Sequence, residues 1–494
     1  MEEAARRSFR LALAIVAAVT LARIAVLIVS PLNLYPDEAQ YWWWAQTPAL
    51  GYFSKPPLIA WIIGATTTLF GEREWAIRLA MPLLHGGAAM LLFGLGRASF
   101  PKTPAVAFWS ALAYLTLPGV TYSASLASTD APLLFFWALA LFAFLKAMQT
   151  GGRRWAVLCG AALGLGVLAK YAMLFFVPSA VLLAFLRRDA RQFIVGPGGL
   201  IAAAVAVLVA APNLAWNVFH HFATLEHTAT NADWMRARFS PGHVLGFLAG
   251  QFGVFGPILM AAWLVALWRL ARRTRTAEEV ALAAFSATPL VLITFQAFVA
   301  DANANWAATA FVAAVPLAVA ELLDRWPRIV LWASFALHGL VLALLSVVLV
   351  WPATANRLGL GNVFKRQEGW RVLADAVSGE FAHGGYGVIA TDNRSVTAEL
   401  LYYLRPHGLP VRIWDPDRDN HNHFEMTMRL SSPAPRTLLV VEPENEAQVL
   451  ATFESNRLIE RVAAPVGGRH VRVLDLYDVV GYRGPQDLNA DESR

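Results

Sequence analysis

The chain has 494 residues, of which 57% are hydrophobic and only 15% charged. A soluble protein of this length has no use for so much apolar surface, so most of the chain belongs in a bilayer. The net charge of +6 would suit a nucleic-acid partner, but the basic residues fall in short clusters between apolar runs, which makes them a topology signal instead.

Apolar runs long enough to cross a hydrocarbon core of about 30 Å recur from Leu11 to Trp351. They predict eleven spans, near 11–30, 78–96, 104–119, 131–147, 155–170, 172–186, 193–215, 244–268, 280–300, 305–322 and 329–351. The first exceeds the apolar core of a signal peptide and is interrupted by Arg23, so it is expected to stay as a span. Directly after it comes Tyr35-Pro-Asp-Glu-Ala-Gln-Tyr-Trp-Trp-Trp44, then Gly51-Tyr-Phe-Ser-Lys-Pro-Pro57. Two adjacent carboxylates, a row of aromatics and a lysine at a membrane surface suit a polar substrate carried on a lipid. Pro36 places Asp37 and Glu38 at a helix start, where Asp37 has a plain alternative as an N-cap with Glu38 favoured by the helix dipole. Lys55 has one too, as an interfacial lysine snorkelling outward. The paired prolines after it favour more, since they lock the backbone into a rigid platform for one cation.

Further along, Asp130 in Ser128-Thr-Asp-Ala-Pro132 opens the fourth span, again as an N-cap or as a functional acid. Lys170 separates the fifth and sixth spans, and an ionisable residue within apolar sequence is a functional candidate, as is Arg23. Each could meet a phosphate or simply pair internally, and the phosphate suits Lys170 the better because it falls near the outer leaflet. Gly160-Ala-Ala-Leu-Gly-Leu-Gly166 lies inside a predicted span and reads as close helix packing rather than nucleotide binding. The loop from Trp216 to Asn231 is amphipathic and predicts an interfacial segment anchored by Trp216, Phe219, Phe222 and Trp234. Its His220, His221, Glu226 and His227 offer metal ligands, but their spacing matches no recognised metal motif, and solvated loop residues is the simpler reading. Asp301, before the tenth span, reads as a helix-start cap.

With the N-terminus inside, the inner side carries Arg6, Arg7, Arg10, Arg97, Lys102, Lys146, Arg153, Arg154, Arg187, Arg188, Arg191, Arg269, Arg272, Arg273, Arg275, Arg325 and Arg328. The outer loops hold only Lys55, Arg73, Lys170, Arg236 and Arg238, so the asymmetry fixes the orientation. Asp37 and Asp130 then share the outer face. Eleven spans also leave the segment from about Asn356 outside the cytoplasm. That segment has near-normal polarity, with strand-like runs Tyr386–Ala390, Val411–Trp414, Thr437–Val441 and Val471–Leu476 and a helical run Ser395–Leu404. It predicts a small α/β domain. The one cysteine, Cys159, has no partner, so this domain must be held by its own core. The expected division is a membrane module over 1–355, a soluble domain over 356–483 and a disordered tail over 484–494.

The order of these motifs, with Pro212-Asn-Leu-Ala-Trp-Asn217 and Ala304-Asn-Trp306, resembles the lipid-linked-sugar glycosyltransferases of the GT-C fold class. It is closest to the bacterial branch containing the aminoarabinose and lipid A galacturonic acid transferases, which is related to the protein O-mannosyltransferases. The resemblance implies about eleven transmembrane helices with periplasmic juxtamembrane helices and a periplasmic α/β domain, in a bacterial inner membrane. It implies transfer of one sugar from a polyprenyl phosphate to a lipid or glycan acceptor, with inversion, and no nucleic-acid partner. In that setting Asp37, Glu38 and Asp130 are the candidate catalytic acids, with Asp37 as the base. An acceptor phosphate would need no base, and Asp37 would then orient the substrate. Lys55 and Lys170 are candidates for the donor phosphate, and Tyr35, Trp42 and Tyr52 for the substrate platform. The aminoarabinose transferases carry a carboxylate where Ser54 stands here, which leaves a divalent metal an open question. A flippase for a lipid-linked molecule is the main alternative, although no internal repeat of the transporter kind is visible. A protein O-mannosyltransferase and a non-catalytic envelope assembly protein are the others.

Overall fold

The computed structural model describes residues 2–233, 239–272, 276–415, 417 and 419–484. Trp234, Arg236, Arg238, Arg273, Arg275 and the tail beyond Gly484 lie outside the described residues. Contacts group the chain into two compact units, Met1–Ile28 with Lys55–Ile62 and Arg78–Ser346, and Val29–Ser54 with Ile63–Ile77 and Val347–Arg494. These units cut the chain differently from its composition, because the first loop after the opening span belongs with the C-terminal segment.

Six helices among the described residues are long and apolar enough to cross a membrane: Glu3–Val29, Glu74–Ser99, Asp130–Thr150, Pro197–Phe219, Ala277–Val299 and Arg328–Val350. A bent pair, Pro241–Phe255 and Pro257–Leu270, makes a seventh if it counts as one span. The eleven expected spans all have helices over them, but length and composition single out only these. The shortfall has local causes. Ala105–Thr116 stops because Leu117 precedes Pro118 and is held extended at φ −49° and ψ 136°. Arg153–Ala169 stops at Lys170, which is extended at φ −162°. The expected straight span 244–268 bends by 108° at Gly256, whose φ of +87° favours glycine and is followed by a proline without an N–H.

Aromatics hold the helical unit together. Phe176 lies 4.5 Å from Phe285 and 5.4 Å from Trp137, edge to face, and Phe144 closes the cluster 5.6 Å from Phe285. The glycine run packs as expected: a Cβ on Gly160 would sit 2.3 Å from the Ala202 carbonyl oxygen, and one on Gly164 would sit 2.6 Å from Val209 Cβ. Backbones in close approach are what small residues permit where no hydrophobic force pulls helices together. Arg23 is buried and donates Nη2 to the Leu115 carbonyl at 2.7 Å and to Thr121 Oγ1 at 3.1 Å, an internal arrangement.

The second unit is built on a five-stranded sheet: β1 (Val388–Thr391), β2 (Val411–Ile413), β3 (Thr437–Val441), β4 (Phe453–Pro465) and β5 (Val471–Tyr482). Their order is β2-β1-β3-β5-β4. The first three are parallel, and β5 is antiparallel to both β3 and β4. β1 and β3 are buried along their whole length, as continuous apolar runs require. β4 was not visible in the sequence because Glu454-Ser-Asn-Arg-Leu-Ile-Glu-Arg461 is polar on both faces. It is an edge strand, mostly exposed, held by register with β5 and by Arg461 paired to buried Asp475 at 2.7 Å.

The first loop packs into this same unit. Trp42 meets Tyr402 edge to face at 5.0 Å, and Tyr403 accepts the Leu34 N–H at 2.8 Å. Arg371 pairs with Glu74 at 2.6 Å.

Candidate active site

In the second unit, the helix Pro36–Gln46 begins with Tyr35 in extended conformation and Pro36 at its first position. Proline is suited there, since its missing N–H would have no helical partner and its φ is already helical. Glu38 is fully buried, and its Oε2 accepts the Tyr35 N–H at 2.9 Å. Half of a capping box is thus made by Glu38, and the helix needs nothing from Asp37. Asp37 is accordingly not the N-cap. One position inside the helix, it keeps 41% of its side chain exposed and accepts from Arg394 Nη1 at 2.7 Å. The same Nη1 donates to Gln40 Oε1 at 2.8 Å, one turn along. Arg394 opens the helix Arg394–Tyr403, whose start is capped by Asn393 Oδ1 accepting from Ser395 and Val396.

Tyr35 is half-buried, and the guanidinium of Arg366 lies 4.5 Å from its ring centroid. Burial pushes its phenol up while Arg366 pulls the other way. Trp42 and Tyr52, expected to line a substrate, are buried instead. Tyr52 stacks on Trp44 at 4.5 Å and donates its hydroxyl to the Trp44 carbonyl at 2.9 Å, so both aromatics brace the loop from behind.

In the helical unit, Asp130 is the first residue of Asp130–Thr150, and Thr129 occupies the N-cap position. The Asp130 carboxylate is committed elsewhere. Lys170 Nζ lies 2.6 Å from Oδ1 and Asn305 Nδ2 donates to Oδ2 at 2.6 Å. The side chains of Lys170 and Asp130 are 20% and 13% exposed, so this is a mostly desolvated pair with charge-assisted bonds. Three elements meet here: the start of a helix, the break after Ala169, and the short turn Ala304–Ala307. The Pro-Asn-Leu-Ala-Trp-Asn run supports the middle one. Tyr171, next to Lys170, donates to Asn213 Oδ1 at 2.9 Å and accepts from Asn217 at 3.1 Å. Of the two readings of Lys170, a phosphate or an internal partner, the fold supplies Asp130 as the internal partner. Asn305 was not singled out from the sequence, although its Ala-Asn-Trp motif was.

Lys55 is part-exposed in the bend before the helix Leu58–Phe70, and Pro56 and Pro57 behind it are buried. No group of three or more His, Cys, Asp or Glu side chains converges as a metal site among the described residues. His220 stacks on Trp216 at 4.0 Å, and His227 is engaged with Asn231 at 3.0 Å.

A unit of membrane-length helices and a unit built on a small sheet are the parts of an ArnT-like GT-C fold. The family model described as dolichyl-phosphate-mannose-protein mannosyltransferase matches residues 54–216. The chain is 36% identical to lipid A galacturonosyltransferase RgtD of Rhizobium johnstonii over 474 residues, 95% of this chain and 98% of that one. It belongs to that family, and it is a glycosyltransferase. A shorter likeness, 28% identity over 233 residues, links it to the undecaprenyl phosphate-alpha-4-amino-4-deoxy-L-arabinose arabinosyl transferase of Pseudomonas paraeruginosa, covering 44% of this chain and 40% of that one. In fold it matches the crystal structure of ArnT from Cupriavidus metallidurans bound to undecaprenyl phosphate. The TM-score is 0.67 at 16% identity, with 96% of this chain and 99% of the other covered.

Proposed function

We propose that this enzyme transfers a single sugar from a polyprenyl-phosphate donor to a lipid A or core-type acceptor on the periplasmic face of the inner membrane, inverting the anomeric centre. The observation that carries the reading is the likeness to RgtD along nearly the whole chain. In this mechanism Asp37 is the general base that takes the acceptor hydroxyl proton as the hydroxyl attacks the anomeric carbon. The carrier phosphate leaves with the bonding electron pair, and Lys55 stabilises its growing charge. Asp130, held by Lys170 and Asn305, orients the sugar. Loss of the gene is expected to remove one sugar from lipid A or core, and the purified enzyme should restore it only with a polyprenyl-phosphate sugar. Mass spectrometry of the glycolipid decides this, and restoration by a nucleotide sugar would overturn it.

The periplasmic placement rests on the basic-residue asymmetry and on eleven crossings. Counting to eleven requires the interrupted helices to cross as well, and a helix of 17 residues such as Arg153–Ala169 rises about 25 Å, nearly the hydrocarbon thickness. A periplasm-active reporter fused after residue 355 is expected to be active, and one fused at Gly151 inactive. The reverse pattern would move the site to the cytoplasm.

Lys55→Ala is expected to raise KM for the donor by about 10-fold or more, the worth of a charge-assisted bond, while Lys55→Arg keeps part of the affinity. Steady-state kinetics with a synthetic donor check it: an unaltered donor KM in Lys55→Ala would leave Lys55 as an interfacial anchor only.

A further inference from the structure

We infer that Arg394, with Arg366 beside it, reads a carboxylate on the transferred sugar, so that the C-terminal segment sets the enzyme's choice of an acidic over a neutral or amino sugar. The inference rests on the donor reading above. Arg394 uses one nitrogen, Nη1, for both Asp37 and Gln40. Its Nε and Nη2 have no hydrogen-bond partner among the described residues, and a third of its side chain is exposed. The edge formed by those two nitrogens is the one that binds a carboxylate through two parallel bonds. A ligand there would sit beside Asp37 without displacing it.

The guanidinium donors that face outward here favour an anion. Glu38 is buried and turned to the Tyr35 N–H, so Asp37 is the partly exposed carboxylate beside Arg394, while Arg366 lies over the Tyr35 ring. Tyr35 lies within electrostatic reach of Arg366, Asp37 and Arg394 together. The other arginines nearby are taken: Arg371 pairs with Glu74, and Arg405 lies 3.5 Å from Glu72. Arg366 stacks on the Tyr35 ring and is exposed, with no carboxylate partner among the described residues. The open Nε and Nη2 edge of Arg394 would bind the carboxylate of a uronic acid and offers only donors to the ammonium of an amino sugar. The rigid mounting supports selectivity, since Arg394 follows directly on the cap residue Asn393 and its neighbour Asp392, which accepts from Asn445 at 2.8 Å.

The test uses the full-length enzyme in detergent with three synthetic polyprenyl-phosphate donors carrying galacturonic acid, its carboxamide and galactose. The carboxamide matches the acid in shape and lacks only the charge. Wild type is expected to prefer acid over amide by about 100-fold in kcat/KM, the discrimination available to a site built around a charged hydrogen-bonding pair. R394Q should bring that ratio close to one, mainly through donor KM, and R394K should restore part of it. R366Q should narrow the ratio less. Thermal unfolding of each variant guards against misfolding, and the ratio itself does not depend on the amount of active protein. An unchanged ratio in R394Q, or wild type using amide and acid equally, would overturn the inference while leaving the donor reading in place. A shift confined to the acceptor KM would also overturn it, by assigning Arg394 to an acceptor phosphate. Turnover of none of the three donors by wild type would overturn both.

Discussion

Asp130→Asn is expected to lower kcat by about 100-fold or more while the protein still inserts and folds, the scale set by removing a group that acts on the reacting sugar. The substitution keeps the shape of the side chain but removes the charge that Lys170 and Asn305 converge on. Breaking a fully buried pair costs roughly 3–5 kcal/mol, and at 13% and 20% exposure this one should cost less. Stability and activity must therefore be separated. In a double-mutant cycle, Lys170→Met should rescue the unfolding temperature of Asp130→Asn, because the unpaired buried cation is gone, yet activity should stay lost. Recovery of both together would make the Asp130–Lys170 pair a structural strut and nothing else.

The second large effect is expected at Asp37. Asp37→Asn should reduce kcat by about 100- to 10,000-fold, the range for loss of a general base. Its effect on stability should be slight. Glu38, not Asp37, closes the helix start, so the substitution forfeits only a favourable charge in the first turn, about 0.3–1 kcal/mol, together with a half-exposed ion pair to Arg394 of small worth. A purified Asp37→Asn enzyme with wild-type kcat would remove the base and leave Asp37 as an orienting group.

Some of the site was legible because its signals are local. Pro36-Asp-Glu38 announces a helix start whatever the tertiary structure. The Lys-Pro-Pro run announces a rigid cation. What could not be read is which of two adjacent acids does the capping, since Asp37 and Glu38 both suit a first turn. The third helix position reaches back to the cap N–H and the second does not, so Glu38 is buried and Asp37 is released. Lys170 could be read as meeting a phosphate or an internal partner, and the internal partner the fold supplies is Asp130, 40 residues earlier. Trp42 and Tyr52 belong to an aromatic-rich loop, which at a membrane surface suggests exposure. Tyr402 and Trp44 bury them, and Tyr402 is far beyond the reach of any window.

By itself the sequence determined the membrane character, the positions of the helices and the α/β nature of the C-terminal segment. Hydropathy acts over a bilayer of fixed thickness, and strand or helix periodicity acts between near neighbours, so both are written in one dimension. Tertiary structure alone decided the 108° bend at Gly256, the edge strand Phe453–Pro465, and the partners of the two acids. Arg394 comes to Asp37 from 357 residues away, and Asn305 to Asp130 from 175. Such pairings carry no periodic signature. The Asp130 contacts are selected by the cost of leaving charge unpaired at low dielectric, a cost that exists only after the chain has folded around them, whereas the more exposed Asp37–Arg394 pair follows from the packing of the two helices that carry it.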